Sequence, residues 1–296
     1  MCWKIKRAMR RLNYQRPIFW TFLHQTAALI GKLPGEYWIY HCVDDWPELL
    51  PMASMGRPTQ IMQDEWDLIQ RVDIVFSVST NLLRHYDISP GKLHFIPNGV
   101  DVALFDPNDY MDYPRPNDIA RLPRPIIGFS GSLGKWIDTD LIIYIAKAFP
   151  KTSVVLIGLN EKNPHVTELQ RQKNIHFLGM KSREQVPVYI SAFDVCLMPF
   201  ARTAVGSGLL PLKLFEYLAM GKPIIATSSH ALKSYEDILY LAKNTDEFRY
   251  LVDQALAESG TNLAQNRRAR AEEYSWAARI RIYDEALQTI VQNNGL

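Results

Sequence analysis

Residues 211–227 read Pro211-Leu212-Lys213-Leu214-Phe215-Glu216-Tyr217-Leu218-Ala219-Met220-Gly221-Lys222-Pro223-Ile224-Ile225-Ala226-Thr227, a short helix with marked ends that runs into a buried strand. Proline suits a first helical position, where no amide proton is needed. Gly221 suits the left-handed residue past a helix end, and Pro223 blocks continuation. Helical spacing puts Leu212, Phe215 and Ala219 on one face, read as core, and Lys213, Glu216 and Met220 on another. A cation in the first turn and a carboxylate one turn later thus point the same way, beside free amides that attract anions. That layout fits phosphate oxygens at one end and a vicinal diol at the other, and a nucleotide sugar carries both.

Upstream of this unit strands and helices alternate. Ile126–Phe129 reads as a strand, followed by a glycine-bearing loop and a helix over about 138–149. Val154–Ile157 is a strand ending at Gly158, His165–Gln172 a helix, and Ile175–Leu178 a strand ending at Gly179. Pro187 opens a helix ending near Ala192, and Val195–Met198 is a further strand. Earlier strands are read at Ile18–Phe22, Trp38–Val43, Ile74–Val78 and Leu93–Ile96, the last stopped by Pro97-Asn98-Gly99. Between the two sets lies a stretch rich in proline and acid, residues 106–125, without periodicity, which reads as an interdomain linker. The alternation predicts an α/β fold with parallel sheets, helices on both faces and ligands at the carboxyl ends of strands.

Bulk properties set limits. The 296 residues allow one large domain or two moderate ones, and 47% apolar with 22% charged residues is an ordinary globular balance. A net charge of +2 gives no overall drive toward nucleic acid. The three cysteines, Cys2, Cys42 and Cys196, are scattered and odd in number, which favours a reduced, cytoplasmic setting. No run is long enough to span a membrane, and the start lacks the apolar core of a signal peptide. The first sixteen residues hold Lys4, Lys6, Arg7, Arg10, Arg11 and Arg16, with an apolar stripe of Ile5, Met9 and Leu12. They read either as a helix on an anionic membrane surface or as a sheet-packing helix with a solvated basic face. No clustered Asp/His set suggestive of a metal site stands out in the sequence.

Together these residues resemble the GT-B glycosyltransferases of family 4, the group 1 type. Ile96-Pro97-Asn98-Gly99-Val100-Asp101, with Phe105 behind it, resembles the signature at the end of the family's first domain. Gly128-Phe129-Ser130-Gly131-Ser132-Leu133 resembles the glycine loop that opens the second. His176-Phe177-Leu178-Gly179, then Pro187, Tyr189, Ala192, Asp194, Pro199 and Phe200, match its middle. Residues 211–227 resemble the donor-binding helix, in the form of the branch that includes teichuronic acid and other cell-surface glycan glycosyltransferases. Tyr274-Ser275-Trp276 resembles the start of the final helix.

The resemblance implies two Rossmann-like parallel-sheet domains, the first incomplete because the family's opening strands and glycine-rich acceptor loop have no counterpart. Residues 1–106 would be the partial acceptor-side domain, 107–124 a linker, 125–274 the donor-nucleotide domain and 275–296 a helix crossing back to the first domain. It implies transfer of a sugar from a nucleoside diphosphate sugar to a hydroxyl of a glycan or lipid-linked acceptor, with retention, no metal and no cofactor. The setting implied is cytoplasmic, with peripheral contact at the inner membrane face.

Residue by residue, Glu216 matches the second glutamate of the family's E-x7-E motif, which accepts from the donor ribose hydroxyls; a solvated helix glutamate is the plainer reading. Lys213, with the amides of Leu212 and Lys213, would face the diphosphate, and Arg202 is a second phosphate candidate. Gly131 would let backbone approach the phosphates, or merely form a tight turn. Backbone at Gly179 and Met180 resembles the base-binding edge. His41 matches a histidine beside the transferred sugar, able to hydrogen-bond it or shuttle a proton. Asp44 and Asp45 would orient His41, contact the acceptor or cap the next segment. Two positions depart from the pattern. Gly208 stands where the first glutamate belongs, and Ser132 where an arginine belongs, with Lys135 nearby but early.

Overall fold

The computed structural model describes residues 2–15, 17–35, 37–46, 58–160, 165–201, 210–260 and 262–293, with side chains up to 289. It divides into two units. One holds residues up to Pro97 and from Ile282 onward; the other runs from Asn98 to Arg281.

The first unit carries helix α1 (Cys2–Arg11), strands β1 (Ile18–Thr21) and β2 (Tyr37–Cys42), helix α2 (Pro58–Arg71), and strands β3 (Ile74–Ser77) and β4 (Leu93–Phe95). The four strands are parallel in the order β1-β2-β3-β4. Alternate β2 residues serve opposite faces. Ile39 joins Phe76, Ile96 and Ala286 in one core, while Tyr40 and Cys42 turn to Glu65 of α2. The stripe expected on α1 is corrected. Met9 packs inward, but Leu12 is 62% exposed and Trp3 64%, with the Arg7 guanidinium 5.4 Å from the Trp3 ring. Leu12 lies one residue past the helical turns, where the chain turns away.

The second unit carries α3 (Asn117–Ala120), β5 (Ile126–Ser130), α4 (Thr139–Ala148), β6 (Ser153–Ile157), α5 (Val166–Gln170), β7 (Ile175–Gly179), α6 (Val186–Ala192), β8 (Val195–Met198), α7 (Leu212–Ala219), β9 (Ile224–Thr227), β10 (Tyr240–Ala242), α8 (Thr245–Leu256) and α9 (Asn262–Glu272). A last helix, α10 (Trp276–Asn293), begins in this unit. Its six parallel strands lie in the order β10-β9-β8-β5-β6-β7. The strands read as unbroken apolar runs because both faces are covered. Val155, Ile157, Cys196, Met198, Ile224 and Ala226 face α6, α7 and α9. Ile127, Phe129, Val154, Leu156, Val195 and Ile225 face α4, α5 and α8. Within the 106–125 stretch Ile119 is buried in the first of these cores, with Tyr110 and Leu122 packed against it.

Local signals explain the element ends. Asp138 caps α4 by accepting from Leu141 N at 2.8 Å. Gly221, at φ +66°, closes α7: its N–H donates to Leu218 O at 2.9 Å, and Lys222 N donates to Tyr217 O at 3.1 Å. Pro211 is the N-cap of α7 rather than its first helical residue. Leu212 is therefore the first turn's leading residue and is 51% exposed, not core, whereas Met220, the C-cap, is buried.

Two of the motifs also pair with each other. Val100 N donates to Tyr274 O at 2.9 Å and Trp276 N to Val100 O at 3.0 Å. A Cβ on Gly99 would lie 2.7 Å from the Trp276 indole, so the glycine makes room for the ring.

Candidate functional site

The strand order of the second unit reverses between β5 and β8, the point at which a parallel open sheet leaves a crevice at its carboxyl edge. The loops there are tied together by backbone. Gly131 N donates to Ile157 O at 2.9 Å, Leu133 N to Leu159 O at 2.8 Å, and Gly158 N to Gly179 O at 2.9 Å. Across the reversal Asp138 N donates to Pro199 O at 2.8 Å and Ala201 N to Trp136 O at 2.9 Å. A Cβ on Gly158 would come within 2.0 Å of Gly131 O, so the stacked loops need glycine there.

Helix α7 starts beside these loops. Tyr217 Oη accepts from Ser130 N at 2.7 Å and ties the helix to the end of β5. Lys213 Nζ lies 4.0 Å from the Phe129 ring centroid and 5.7 Å from that of Phe200. It fills the space above Gly131, where a Cβ would meet it at 2.6 Å; the backbone there has φ +133°. None of the ion pairs among the described residues involves Lys213. Burial pulls its ammonium down to about 7, with the Glu216 charge opposing. Burial raises the Glu216 carboxyl, against the pull of Lys213 and Arg183. The structure thus brings together Lys213, Glu216, Gly131 and the start of α7. Leu214 N is taken by Pro211 O at 3.0 Å, and among the described residues no backbone carbonyl takes the amides of Leu212 and Lys213 at the helix start.

The remaining expected donor residues divide. Gly179, at φ +71°, ends β7 with its carbonyl held by Gly158, and Met180 beside it is 75% exposed. Lys135 is exposed at a turn. Arg202 and Gly208 lie outside the described residues. Sequence reading missed Arg183 in the loop after β7, whose guanidinium lies 3.6 Å from Asp101 Oδ2.

In the first unit His41 is buried in an aromatic ring of Trp20, Phe22, Phe76 and Tyr283, at centroid distances of 5.2–6.0 Å. Its Nε2 lies 3.2 Å from Tyr283 Oη, and Nδ1 is buried with no hydrogen-bond partner among the described residues. Burial lowers the imidazole to about 4, so it is neutral at pH 7. Asp45 is half-buried, and burial raises the carboxyl of Asp44. A second group escaped the sequence reading. The buried Glu65 carboxylate accepts from Tyr40 Oη, from Tyr86 Oη at 2.8 Å and from Cys42 Sγ at 3.7 Å. Only its helical spacing among apolar neighbours could have signalled it.

The sequence showed no acid/histidine cluster, yet folding brings Asp140, His165 and Glu168 together, all exposed, with ligand atoms within 4.8 Å of one another. Twenty-five residues separate the first two, which hides the cluster from the sequence. No helix among the described residues is long and apolar enough to cross a membrane.

The family model described as Glycosyl transferases group 1 matches residues 124–258. A Bacillus subtilis protein named teichuronic acid biosynthesis glycosyltransferase TuaH is 30% identical over 226 residues, covering 73% of this chain and 56% of that protein. A Corynebacterium efficiens D-inositol 3-phosphate glycosyltransferase is 22% identical over 253 residues, 72% of this chain and 56% of its own length. The chain thus spans about half the length of the curated relatives it matches. Among solved structures, sucrose-phosphate synthase of Thermosynechococcus elongatus superposes with a TM-score of 0.72 at 17% identity, over 99% of this chain and 77% of that one. Anabaena Alr3699/HepE in complex with UDP superposes at 0.70 and 16% identity, over 97% and 82%. Residues 124–258 belong to the group 1 glycosyl transferase family, and the chain as a whole carries the two-sheet α/β fold of the GT-B glycosyltransferases.

Proposed function

We propose that the protein binds a nucleoside diphosphate sugar at the carboxyl ends of β5, β7 and β8 and transfers its glycosyl group to a hydroxyl of a cell-surface glycan or related lipid-linked acceptor. The observation that carries this reading is the pairing on α7: an ammonium without an ion-pair partner among the described residues, set over Gly131, and a carboxylate one turn further on. As the glycosidic bond breaks, negative charge grows on the diphosphate. The α7 amides and Lys213 offset it without a metal ion, and retention at the anomeric carbon follows from the family resemblance. Glu216 accepts from the ribose diol, and the backbone at Gly179 and Met180 borders the base. Arg202 is the second phosphate ligand in this scheme. His41, neutral in its aromatic pocket, and Asp45 serve transfer rather than nucleotide binding.

Solved relatives guide the first probe. HepE is described in complex with UDP-glucose, and Staphylococcus aureus TarM with UDP and alpha-GlcNAc-glycerol. Calorimetry with UDP, GDP and ADP, followed by an acceptor-dependent assay with the matching nucleotide sugars, tests the proposal. Glu216→Ala should weaken nucleotide binding by about 1–3 kcal/mol, the cost of unpaired polar partners; unchanged affinity would remove the site.

A second reading, a non-catalytic sugar-nucleotide-binding partner protein, is favoured by Gly208 at the position of the first motif glutamate. Nucleotide binding without any transfer selects it. For location we propose the cytoplasmic face of a membrane, since α1 exposes Trp3 among Lys4, Lys6, Arg7, Arg10 and Arg11, and Leu12 just past its end is exposed as well. Co-sedimentation with anionic but not zwitterionic vesicles is the expected result.

A further inference from the structure

His41 sits on β2 between two residues that turn the other way, toward a single carboxylate. Alternate residues of a strand serve opposite faces, so Tyr40 and Cys42 leave the sheet toward α2 while His41 leaves it toward Phe76 and Tyr283. Glu65 Oε1 accepts from Tyr40 Oη and lies 3.7 Å from Cys42 Sγ. The strand is thereby held at both residues that flank His41. The same thiol lies 3.6 Å from Asp44 O, so the tie runs on into the turn that carries Asp44 and Asp45. The other oxygen, Oε2, accepts from Tyr86 Oη at 2.8 Å, in the segment between β3 and β4.

Glu65, Tyr40 and Cys42 are all buried, and none of the ion pairs among the described residues involves Glu65. Two phenols and a thiol converge on it as donors, and an ionised carboxylate accepts on both oxygens while donating nothing. Burial and the Asp45 charge raise its carboxyl, while the hydrogen bonds from Tyr40, Tyr86 and Cys42 hold it down. Burying a carboxylate without a cation costs free energy that an apolar side chain would avoid. What the hydrogen bonds add is direction: a satisfied buried network fixes one arrangement of the segments it joins. On the opposite face the rings around His41 supply contact without direction. The orientation of the imidazole therefore depends on where the strand itself is held.

We propose that Glu65 is a positioning residue for the transfer step: through Tyr40 and Cys42 it fixes the end of β2, and with it the orientation of His41 and of the turn at Asp44 and Asp45, without touching substrate. The inference rests on the reading above that assigns His41 and Asp45 to transfer. It gives the buried acid a use that stability alone does not, and it explains why phenol and thiol, rather than two apolar side chains, flank the histidine on β2.

The test follows the histidine rings of the full chain by 1H–15N NMR over pH, with His41 assigned by the signal lost in His41→Phe. It is joined to calorimetry with UDP and to the acceptor-dependent assay. In Glu65→Gln the His41 midpoint should rise from about 4 toward the ordinary 6.5, because water enters a loosened ring pocket. Loss of a negative charge by itself would move the midpoint down, so the sign identifies the cause. UDP affinity should be unchanged, while transfer slows roughly ten- to a hundredfold. Tyr40→Phe should act in the same direction by less, and it carries the test if Glu65→Gln does not fold. Tyr86→Phe takes a donor from the oxygen that β2 does not use; it should lower stability and leave the His41 midpoint in place. An unmoved midpoint in folded Glu65→Gln or Tyr40→Phe overturns the proposal. So does an equal shift in Tyr86→Phe, which would make the network a general support of the unit, or a loss of UDP affinity in step with the rate. If the wild-type chain transfers no sugar, the assignment of His41 and Asp45 to transfer fails instead, and the NMR shift still decides whether Glu65 fixes β2.

Discussion

Lys213 Nζ sits 2.6 Å from the point where a Cβ on residue 131 would lie, so a lysine on α7 and a glycine after β5 share one volume. The lysine is held over the Phe129 ring only because the glycine has no side chain. Two sequence features that look independent are one steric arrangement, and it places the positive charge where the sheet opens.

The first consequence concerns Gly131. Alanine there would clash with the Lys213 ammonium and adopt a strained φ of +133°. Gly131→Ala should cost about 1–3 kcal/mol of stability in denaturant unfolding and should weaken UDP binding as the ammonium is displaced. Full retention of both would mean that the loop relaxes freely.

Proton coupling follows from Lys213. Its ammonium is pulled down to about 7 by burial, so part of the population is neutral at pH 7.5. A diphosphate beside it restores the charge, and binding near that pH should take up protons. Calorimetry in buffers of different ionisation enthalpy reads the number taken up; Lys213→Met should abolish most of it and weaken binding.

His41 has the opposite profile of expected effects. His41→Ala should leave nucleotide affinity unchanged while slowing transfer, as measured by a side-by-side binding and turnover assay. Stability carries a second signature. Below the unfolded value near 6.5 the unfolded chain binds a proton that the folded imidazole, lowered to about 4, does not. The unfolded state therefore holds more protons between those values, and stability falls as pH drops through that window. His41→Phe should flatten this acid limb in pH-dependent unfolding.

Tyr217 offers a structural control. Its oxygen accepts from Ser130 N at 2.7 Å in a fully buried setting. Tyr217→Phe leaves that amide without a partner and should destabilise by about 1–3 kcal/mol. Nucleotide affinity should fall with it, because the end of β5 loses its tie to α7.

Much of the second unit was legible in advance. Strands such as Val195–Met198 show as apolar runs between turn residues, since burial on both faces demands apolar side chains throughout. Gly221 marks a helix end by local chemistry that needs no partner from elsewhere in the chain. The three-residue strand Tyr240–Ala242 left too short a run to register. The first turn of α7 was misjudged at Leu212, because helical periodicity assigns a face but does not say where the packing against the sheet begins.

Residue type, order and local spacing alone specified the α/β alternation, the helix at Leu212–Ala219 and the shared direction of Lys213 and Glu216, because these depend on contacts within a few residues. Tertiary structure alone decided that Lys213 lies over Phe129 and Gly131, and that His41 is desolvated among Trp20, Phe22, Phe76 and Tyr283. Those outcomes come from groups distant along the chain that share one low-dielectric space, where charge and protonation answer to neighbours rather than to sequence position.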